Sequence, residues 1–113
     1  MPYLAINIGK PVGREKKQAL QLEIGNCMTI IPGKTIDNTI INITDDCTIY
    51  KSGQQVEAVH VDVRLYKESP EESKREFSEK LFQIFEDVIG IPSKNVAINF
   101  IELPNWASGG SYK

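Results

Sequence analysis

The chain has 113 residues, of which 41% are hydrophobic and 25% are charged, and its formal net charge is -2. This length fits one domain, and the charge balance gives no indication of binding to nucleic acid or to an anionic membrane. Because no apolar run approaches the ~18 residues of a membrane span and no secretory leader precedes the first strand, a cytoplasmic location is expected.

The two cysteines do not form a recognisable metal or redox motif. Cys27 and Cys47 stand 20 residues apart, and His60 is the only histidine. Neither cysteine lies in a CxxC spacing or in a spacing that pairs it with the histidine. Two structural thiols are therefore expected, with no metal site.

The first half of the sequence is typical of a strand, a helix and a second strand. Apolar residues alternate with polar or small ones over residues 3–8, which predicts a half-buried strand. Helical spacing of apolar residues predicts a helix from about Gly13 to the stop at Pro32-Gly33. A second strand is expected over about Asn38–Thr44, and Cys47–Tyr50 is expected to form a short edge strand before a loop.

The second half repeats this order. The alternation over Val59–Tyr66 predicts a third strand. In the next segment, Ser69 is expected to cap a helix whose first helical residue is Pro70, and Glu72 is placed to complete a capping box. That helix should end at Gly90-Ile91-Pro92, before a fourth strand over Asn95–Glu102 and a turn-rich tail.

The two halves match without a gap at a shift of 57 residues, which carries Gly33 onto Gly90 and Asn38 onto Asn95. One domain over 1–113 is therefore expected, with pseudo-repeats at about 2–54 and 58–110. Each repeat is a β-α-β unit, which makes a right-handed crossover between parallel strands. The predicted fold class is α/β (α+β), with a four-stranded mainly parallel sheet, two helices on one face and short extra edge strands.

The sheet face away from the helices is expected to be mixed in polarity. It would carry Asn7, Ile40, His60, Asp62 and Ile101, among others. Sheets with parallel strands are seldom left open to water on one side, so a partner subunit is expected to cover this face. His60 and Asp62 lie two residues apart on one strand, and we interpret them as a polar pair on the inner face of an oligomer rather than as an acid-base pair.

Pro2 is the residue with the clearest chemical potential. If Met1 is removed, the Pro2 nitrogen becomes a secondary amine held rigid by its own ring and by the first strand. An α-amino group has a reference pKa of roughly 7.7–8.0, and an apolar pocket lowers that value. Such an amine can act as a general base near neutral pH. While Met1 remains attached, the same nitrogen is an amide without basicity.

The whole chain resembles the tautomerase superfamily, and most closely its macrophage migration inhibitory factor (MIF)-like branch. The resemblance rests on the Met1-Pro2 start, the β-α-β duplication and the length, with further motifs at Gly33-Lys34, Ile91–Phe100, Trp106 and Gly109-Gly110. It implies a homotrimer with sites at subunit boundaries. It also implies that Pro2 transfers a proton between the keto and enol forms of a small 2-oxo acid, without a cofactor.

The resemblance also implies substrate-binding roles for four further residues. Lys34 would bind the substrate carboxylate, and Leu65 would supply a backbone amide near the site. Asn99 would come from the neighbouring subunit, and Trp106 would form an aromatic wall.

Two positions depart from the family pattern. Ala97 stands where the MIF-like branch has a tyrosine and the small bacterial tautomerases, such as 4-oxalocrotonate tautomerase, have an arginine. Val12 stands where the small tautomerases have an early arginine. These departures argue against the usual diacid and phenylpyruvate substrates. Two alternatives stay open at this point: a trimeric tautomerase-fold protein without catalysis that binds or signals, and a plain α/β ligand-binding module.

Overall fold

The structure is a computed structural model that describes residues 1–113. One four-stranded sheet carries two helices. Its strands are β1 (Tyr3–Ile8), β2 (Ile40–Thr44), β5 (Val59–Tyr66) and β6 (Val96–Leu103), and the helices are α1 (Arg14–Asn26) and α2 (Glu71–Ile89). Two short hairpins lie outside the sheet: β3 (Tyr50–Lys51) with β4 (Gln54–Gln55), and β7 (Ala107–Ser108) with β8 (Ser111–Tyr112).

The strand order is β2-β1-β5-β6. The outer pairs β1–β2 and β5–β6 are parallel, as the β-α-β order requires, and the central pair β1–β5 is antiparallel. The register places Tyr3 opposite Arg64 and Ile8 opposite Val59, so the two β-α-β units run in opposite directions. The predicted α+β class with a mainly parallel four-stranded sheet and two helices is confirmed, whereas the short extra strands pair with each other in hairpins and do not extend the edges of the sheet.

The core lies between the sheet and the helices. Buried and outward-facing residues alternate along β5 as predicted. Residues 59, 61, 63 and 65 are buried, and the residues between them face outward. Phe77 and Phe85 of α2 are fully buried against this surface, and the Phe77 ring meets the Phe100 ring edge-on at a centroid distance of 6.3 Å. No polar or charged residue is buried, so the core is apolar throughout.

The first helix ends earlier than predicted. α1 stops at Asn26, and the chain tightens into a 3-10 turn over Cys27–Ile30. Pro32 disfavours the helical conformation in the residue before it, and Ile31 is extended, with φ -89 and ψ 119. The tighter turn still buries Met28 and Ile31.

The predicted start of the second helix is wrong by one residue, and its capping box is absent. Pro70 is extended and serves as the N-cap without a side-chain cap, so the first helical residue is Glu71. The Ser69 backbone N–H donates instead to the Glu102 carboxylate, at 2.7 Å. A carboxylate on the neighbouring strand β6 thus replaces the local cap that the sequence predicts.

The segment between β2 and β5 also differs from the prediction. Cys47–Ile49 do not form a strand, although the Cys47 N–H donates to the Ile8 carbonyl. Tyr50–Gln55 fold into the β3–β4 hairpin instead of a loop, with Ser52 and Gly53 both at positive φ in its turn. Successive positive φ values match the right-handed twist of a two-residue hairpin.

Neither α1 nor α2 combines the length and the hydrophobicity that a membrane-spanning helix needs.

Candidate functional site

Pro2 lies at one end of the sheet, between two strands. It is buried, and its carbonyl accepts a hydrogen bond of 3.0 Å from the Ile40 N–H of β2. On the other side, the antiparallel register pairs Tyr3 with Arg64, so the next residue pair is Pro2 and Leu65. The Leu65 side chain is fully buried in the core, so only its backbone can face the site.

Lys34 reaches the same end of the sheet through a defined turn. The Lys34 N–H donates to the Ile31 carbonyl at 3.1 Å, with Gly33 at φ 79 between them. Proline followed by a residue at positive φ is the pattern of a type II turn, which is why glycine is needed at position 33. The Asn38 side chain then accepts from the Thr35 N–H at 3.1 Å, which stiffens the path from Lys34 into β2.

Gly25 explains how this loop is held against α1. A Cβ added at Gly25 would lie 2.5 Å from Cδ1 and 2.6 Å from Cγ1 of Ile36. The Ile36 side chain therefore occupies the space that any larger residue at position 25 would fill. Gly25 weakens α1 by up to ~1 kcal/mol relative to alanine. It also leaves the space into which Ile36 packs, and this contact holds the loop that carries Lys34 against α1.

The amino terminus lies in an environment that disfavours positive charge. Burial lowers the pKa of the Met1 amine below its usual value, and the charges of Lys34 and then Lys113 lower it further. Lys113 was not singled out from the sequence, because its position depends on the C-terminal hairpin. Its N–H donates to the carbonyl of Trp106 at 2.8 Å, so the half-buried Trp106 belongs to the same end of the molecule.

Asn99 does not lie beside Pro2 within one chain. It pairs with Asp62 in the β5–β6 register, and Asp62 pairs with Ala5. Two strand spacings and three residues therefore separate Asn99 from Pro2, a distance of about 14 Å. Of the residues predicted for the site, Pro2, Lys34, Leu65 and Trp106 lie at one end of the sheet, and Asn99 lies apart.

Asn99 is the centre of a polar network on the open sheet face. The Asn99 amide nitrogen donates to Asp62 at 2.8 Å, and the His60 Nε2 lies 2.6 Å from the Asn99 amide oxygen. Arg64 donates to Asp62 at 3.2 and 3.3 Å. The Asn99 hydrogen bond, followed by Arg64, lowers the pKa of the Asp62 carboxyl. The predicted His60–Asp62 pair is therefore joined through Asn99, which the sequence pattern alone did not link to it.

No three His, Cys, Asp or Glu side chains come close enough together to hold a metal ion, and both cysteines are free thiols. The groups at the Pro2 end include the terminal amine, the ammonium groups of Lys34 and Lys113, and the half-buried Trp106.

Comparison with known proteins gives a match in structure only. No protein-family model matches the chain, and no curated protein matches it. MIF2 of Leishmania major is similar with a TM-score of 0.92 and 18% identity, covering 100% of this chain and 97% of that one. Two further structures each have a TM-score of 0.86 and 16% identity and cover 97% of this chain: Pt0534 inactivated by 2-oxo-3-pentynoate, of which 95% is covered, and an R7 fused 4-OT asymmetric trimer, of which 94% is covered. The chain therefore has the tautomerase-superfamily fold, in the form seen in MIF-like proteins.

Proposed function

We propose that the protein is a cofactor-independent tautomerase that interconverts the keto and enol forms of a small 2-oxo acid, with Pro2 as the general acid/base once Met1 is removed. The observation that carries the proposal is the electrostatic setting of the amino terminus. Burial and the Lys34 charge lower the pKa of the amine there. The Pro2 nitrogen lies one residue deeper than the Met1 nitrogen, so the same two effects would act on it.

The proposed chemistry needs only groups at this end of the sheet. Lys34 binds the substrate carboxylate, which places the carbon next to the carbonyl beside Pro2. The neutral Pro2 amine takes a proton from that carbon, the electron pair forms the enolate, and the protonated amine returns the proton to the enolate oxygen. A base whose pKa lies near the operating pH serves both steps. The wall formed by Trp106 and the backbone at Leu65 would exclude water.

A homotrimer with shared sites completes the proposal. The open sheet face exposes Ile40 by 51% and Ile101 by 39%, which is a reason for a second subunit to cover it. Asn99 lies about 14 Å from Pro2 in its own chain and could meet a substrate only at the Pro2 of a neighbour. The fused 4-OT structure, described as an asymmetric trimer, has the same fold. Donors from a neighbour would stabilise the developing enolate.

Exchange of substrate hydrogen for deuterium tests catalysis directly. Several 2-oxo acids, including pyruvate and phenylpyruvate, are incubated in D₂O, and loss of the proton next to the carbonyl is followed by NMR. We expect Pro2→Ala to slow exchange on the best substrate by 10²–10⁴-fold, the usual contribution of a general base. Pro11→Ala changes an exposed loop proline and serves as the matched control.

Equal exchange rates for Pro2→Ala and the parent would refute Pro2 as the base. If the processed parent, with Met1 absent by intact mass, exchanges no substrate faster than buffer, the protein is instead a binding or signalling member of the fold.

The trimer has its own test. Ile40→Asp places a charge on the open face, and Leu22→Asp places the same charge on α1, where Leu22 is 49% exposed. We expect light scattering to give three times the 12.7 kDa chain mass for the parent and for Leu22→Asp, and a lower mass for Ile40→Asp. A monomeric parent would refute the shared site.

A further inference from the structure

The Glu102 carboxylate holds the start of α2 with both of its oxygens. One oxygen accepts from the Ser69 N–H at 2.7 Å, and the other accepts from the Lys74 Nζ at 3.1 Å. Ser69 stands two residues before the first helical residue, and Lys74 is the fourth residue of the helix. We call these three residues the Glu102 clamp. Because β6 supplies the carboxylate, the clamp ties the connection between β5 and α2 to a neighbouring strand.

The first half of the chain contains the same arrangement, which we call the Asp45 clamp. Asp45 accepts from the Val12 N–H at 2.8 Å, and its other oxygen lies 2.8 Å from the Lys17 Nζ. The shift of 57 residues that relates the two halves carries position 12 onto 69, 17 onto 74 and 45 onto 102. The Asp45 clamp is therefore an internal reference for anything that the other clamp does beyond holding a helix.

The two clamps lie at opposite ends of the sheet. Glu102 pairs with Leu65 in the β5–β6 register, and Leu65 lies opposite Pro2, so these residues form one row across three strands. Two strand spacings, about 10 Å, separate Glu102 from Pro2. Asp45 directly follows β2, whose last residue is level with Asn7, so it lies about 20 Å from Pro2 along the strand direction. Only the Glu102 clamp stands at the Pro2 end.

The connection from β5 into α2 contains a residue in a strained conformation. Lys67 has a φ of 69, in the left-handed region that favours glycine, and its N–H donates to the Leu103 carbonyl at 2.8 Å. It stands two residues after Leu65 and two before Ser69. A lysine keeps such a conformation only where the surrounding contacts determine it. The hydrogen bonds of Lys67 and Ser69 to β6 supply those contacts.

The equivalent connection in the first half is not strained. None of residues 9–13 has a positive φ. The left-handed residue at that end is Asp46, with a φ of 55, which lies after β2 and donates its N–H to the Lys10 carbonyl at 2.9 Å. Aspartate also adopts this conformation more readily than lysine. The two clamps therefore share their contacts, and only the one at the Pro2 end restrains a strained path from strand to helix.

We propose that Glu102 is a positioning residue for the site at Pro2. Its clamp fixes the backbone from Leu65 to Ser69, and with it the Leu65 backbone that lies beside Pro2. This inference rests on the proposed function, because it gives Glu102 a part in that reaction without contact with the substrate. Displacement of a site wall by about 1 Å can lower the rate of an enzyme by about 100-fold.

Glu102→Gln and Asp45→Asn form a matched pair of variants, because each replaces one clamp carboxylate by its amide. Hydrogen exchange of the backbone amides, followed by NMR, shows which segment each clamp holds. We expect the Lys67 amide to exchange at least about fivefold faster in Glu102→Gln than in the parent. The Asp46 amide should exchange faster only in Asp45→Asn.

Kinetics separate positioning from a general loss of stability. Both variants and the parent, with Met1 absent by intact mass, are assayed for deuterium exchange on the best 2-oxo acid under conditions where urea unfolding shows all three to be folded. We expect kcat to fall by at least about tenfold in Glu102→Gln and by less than about twofold in Asp45→Asn. KM should change by less than about twofold in both, because Lys34, which binds the substrate carboxylate in the proposed reaction, belongs to neither clamp.

Two results would overturn the positioning role while leaving the Pro2 chemistry intact. One is an active parent with equal kcat values for Glu102→Gln and Asp45→Asn. The other is unchanged exchange of the Lys67 amide in Glu102→Gln, since the clamp would then not hold this segment. A parent without Met1 that exchanges no substrate faster than buffer would refute the proposed function itself, and with it the reaction that Glu102 serves.

Discussion

Substitution of Gly25 by alanine tests how the loop that carries Lys34 is held. Helix propensity alone predicts that alanine in the interior of α1 stabilises the protein by about 1 kcal/mol. The new Cβ would, however, lie 2.5 and 2.6 Å from Cδ1 and Cγ1 of Ile36. Atoms at these distances must move, and Ile36 begins the 3-10 turn that leads from Lys34 into β2.

The two effects have opposite signs, so their difference can be measured. Overpacking of a well-filled contact costs about 1–3 kcal/mol. We therefore expect Gly25→Ala to lower the free energy of unfolding by about 1 kcal/mol, the overpacking cost minus the propensity gain. In an Ile36→Ala background both clashing atoms are absent, and the same substitution should raise the free energy of unfolding by about 1 kcal/mol. The coupling between the two positions is then about 2 kcal/mol.

The assay is urea unfolding of the parent, both single variants and the double variant, followed by far-UV circular dichroism. All four are compared at one protein concentration, because association adds to apparent stability. If Gly25→Ala stabilises the parent and the Ile36→Ala protein by the same amount, the coupling is zero, and Ile36 does not occupy the space beside Gly25.

Three further predictions concern packing and the start of α2. Hydrogen bonds from Ser69 and then Lys74 lower the pKa of the Glu102 carboxyl in the folded protein. The stability that this carboxylate contributes is therefore fully present above its ordinary pKa of about 4.3, and it is lost as the pH falls through the lower folded-state pKa. Glu102→Gln should therefore cost about 1 kcal/mol in urea unfolding at pH 7 and less at pH 3; an equal cost at both would contradict this role. Ser69→Ala should change the free energy of unfolding by less than about 0.5 kcal/mol, since no side-chain cap is present. A loss of about 1 kcal/mol would instead indicate that Ser69 caps the helix, as the sequence predicts. Phe77→Ala should cost about 3–5 kcal/mol, because the ring is fully buried against Phe100, and a loss below 1 kcal/mol would contradict that packing.

The spacing of apolar residues and the positions of glycine and proline predict most of the architecture. The alternation over Val59–Tyr66 identifies β5 to the residue, since one face of that strand is buried and the other is open. Gly90 also ends α2 as predicted, at a left-handed φ of 70. Such local signals succeed because burial and backbone conformation alone determine them.

Features that depend on contacts between distant segments could not be read in this way. Gly25 is recognisable in the sequence only as a weak point in a helix, because the Ile36 side chain that requires it comes from a later loop. The capping box is absent because Glu102, 33 residues away, accepts from the Ser69 backbone N–H that Glu72 was expected to bind.

The candidate site shows the same division. Pro2 and Lys34 were identified from the sequence, and the structure brings both to one end of the sheet. The link from His60 through Asn99 to Asp62 required knowledge of the strand register. The β3–β4 hairpin, by contrast, had a local signal in the pair Ser52-Gly53, and the loop interpretation missed it.

The central claim is that Pro2, once Met1 is removed, is an uncharged amine that can act as a base and as a nucleophile. The measurement that tests it most directly is reaction with 3-bromopyruvate, followed by peptide mapping of protein whose intact mass shows that Met1 is absent. Burial raises the pKa of the Cys27 thiol, so that thiol is mainly protonated and reacts slowly. We predict an adduct on Pro2. Adducts confined to Cys27 or Cys47, with Pro2 unmodified, would contradict the claim.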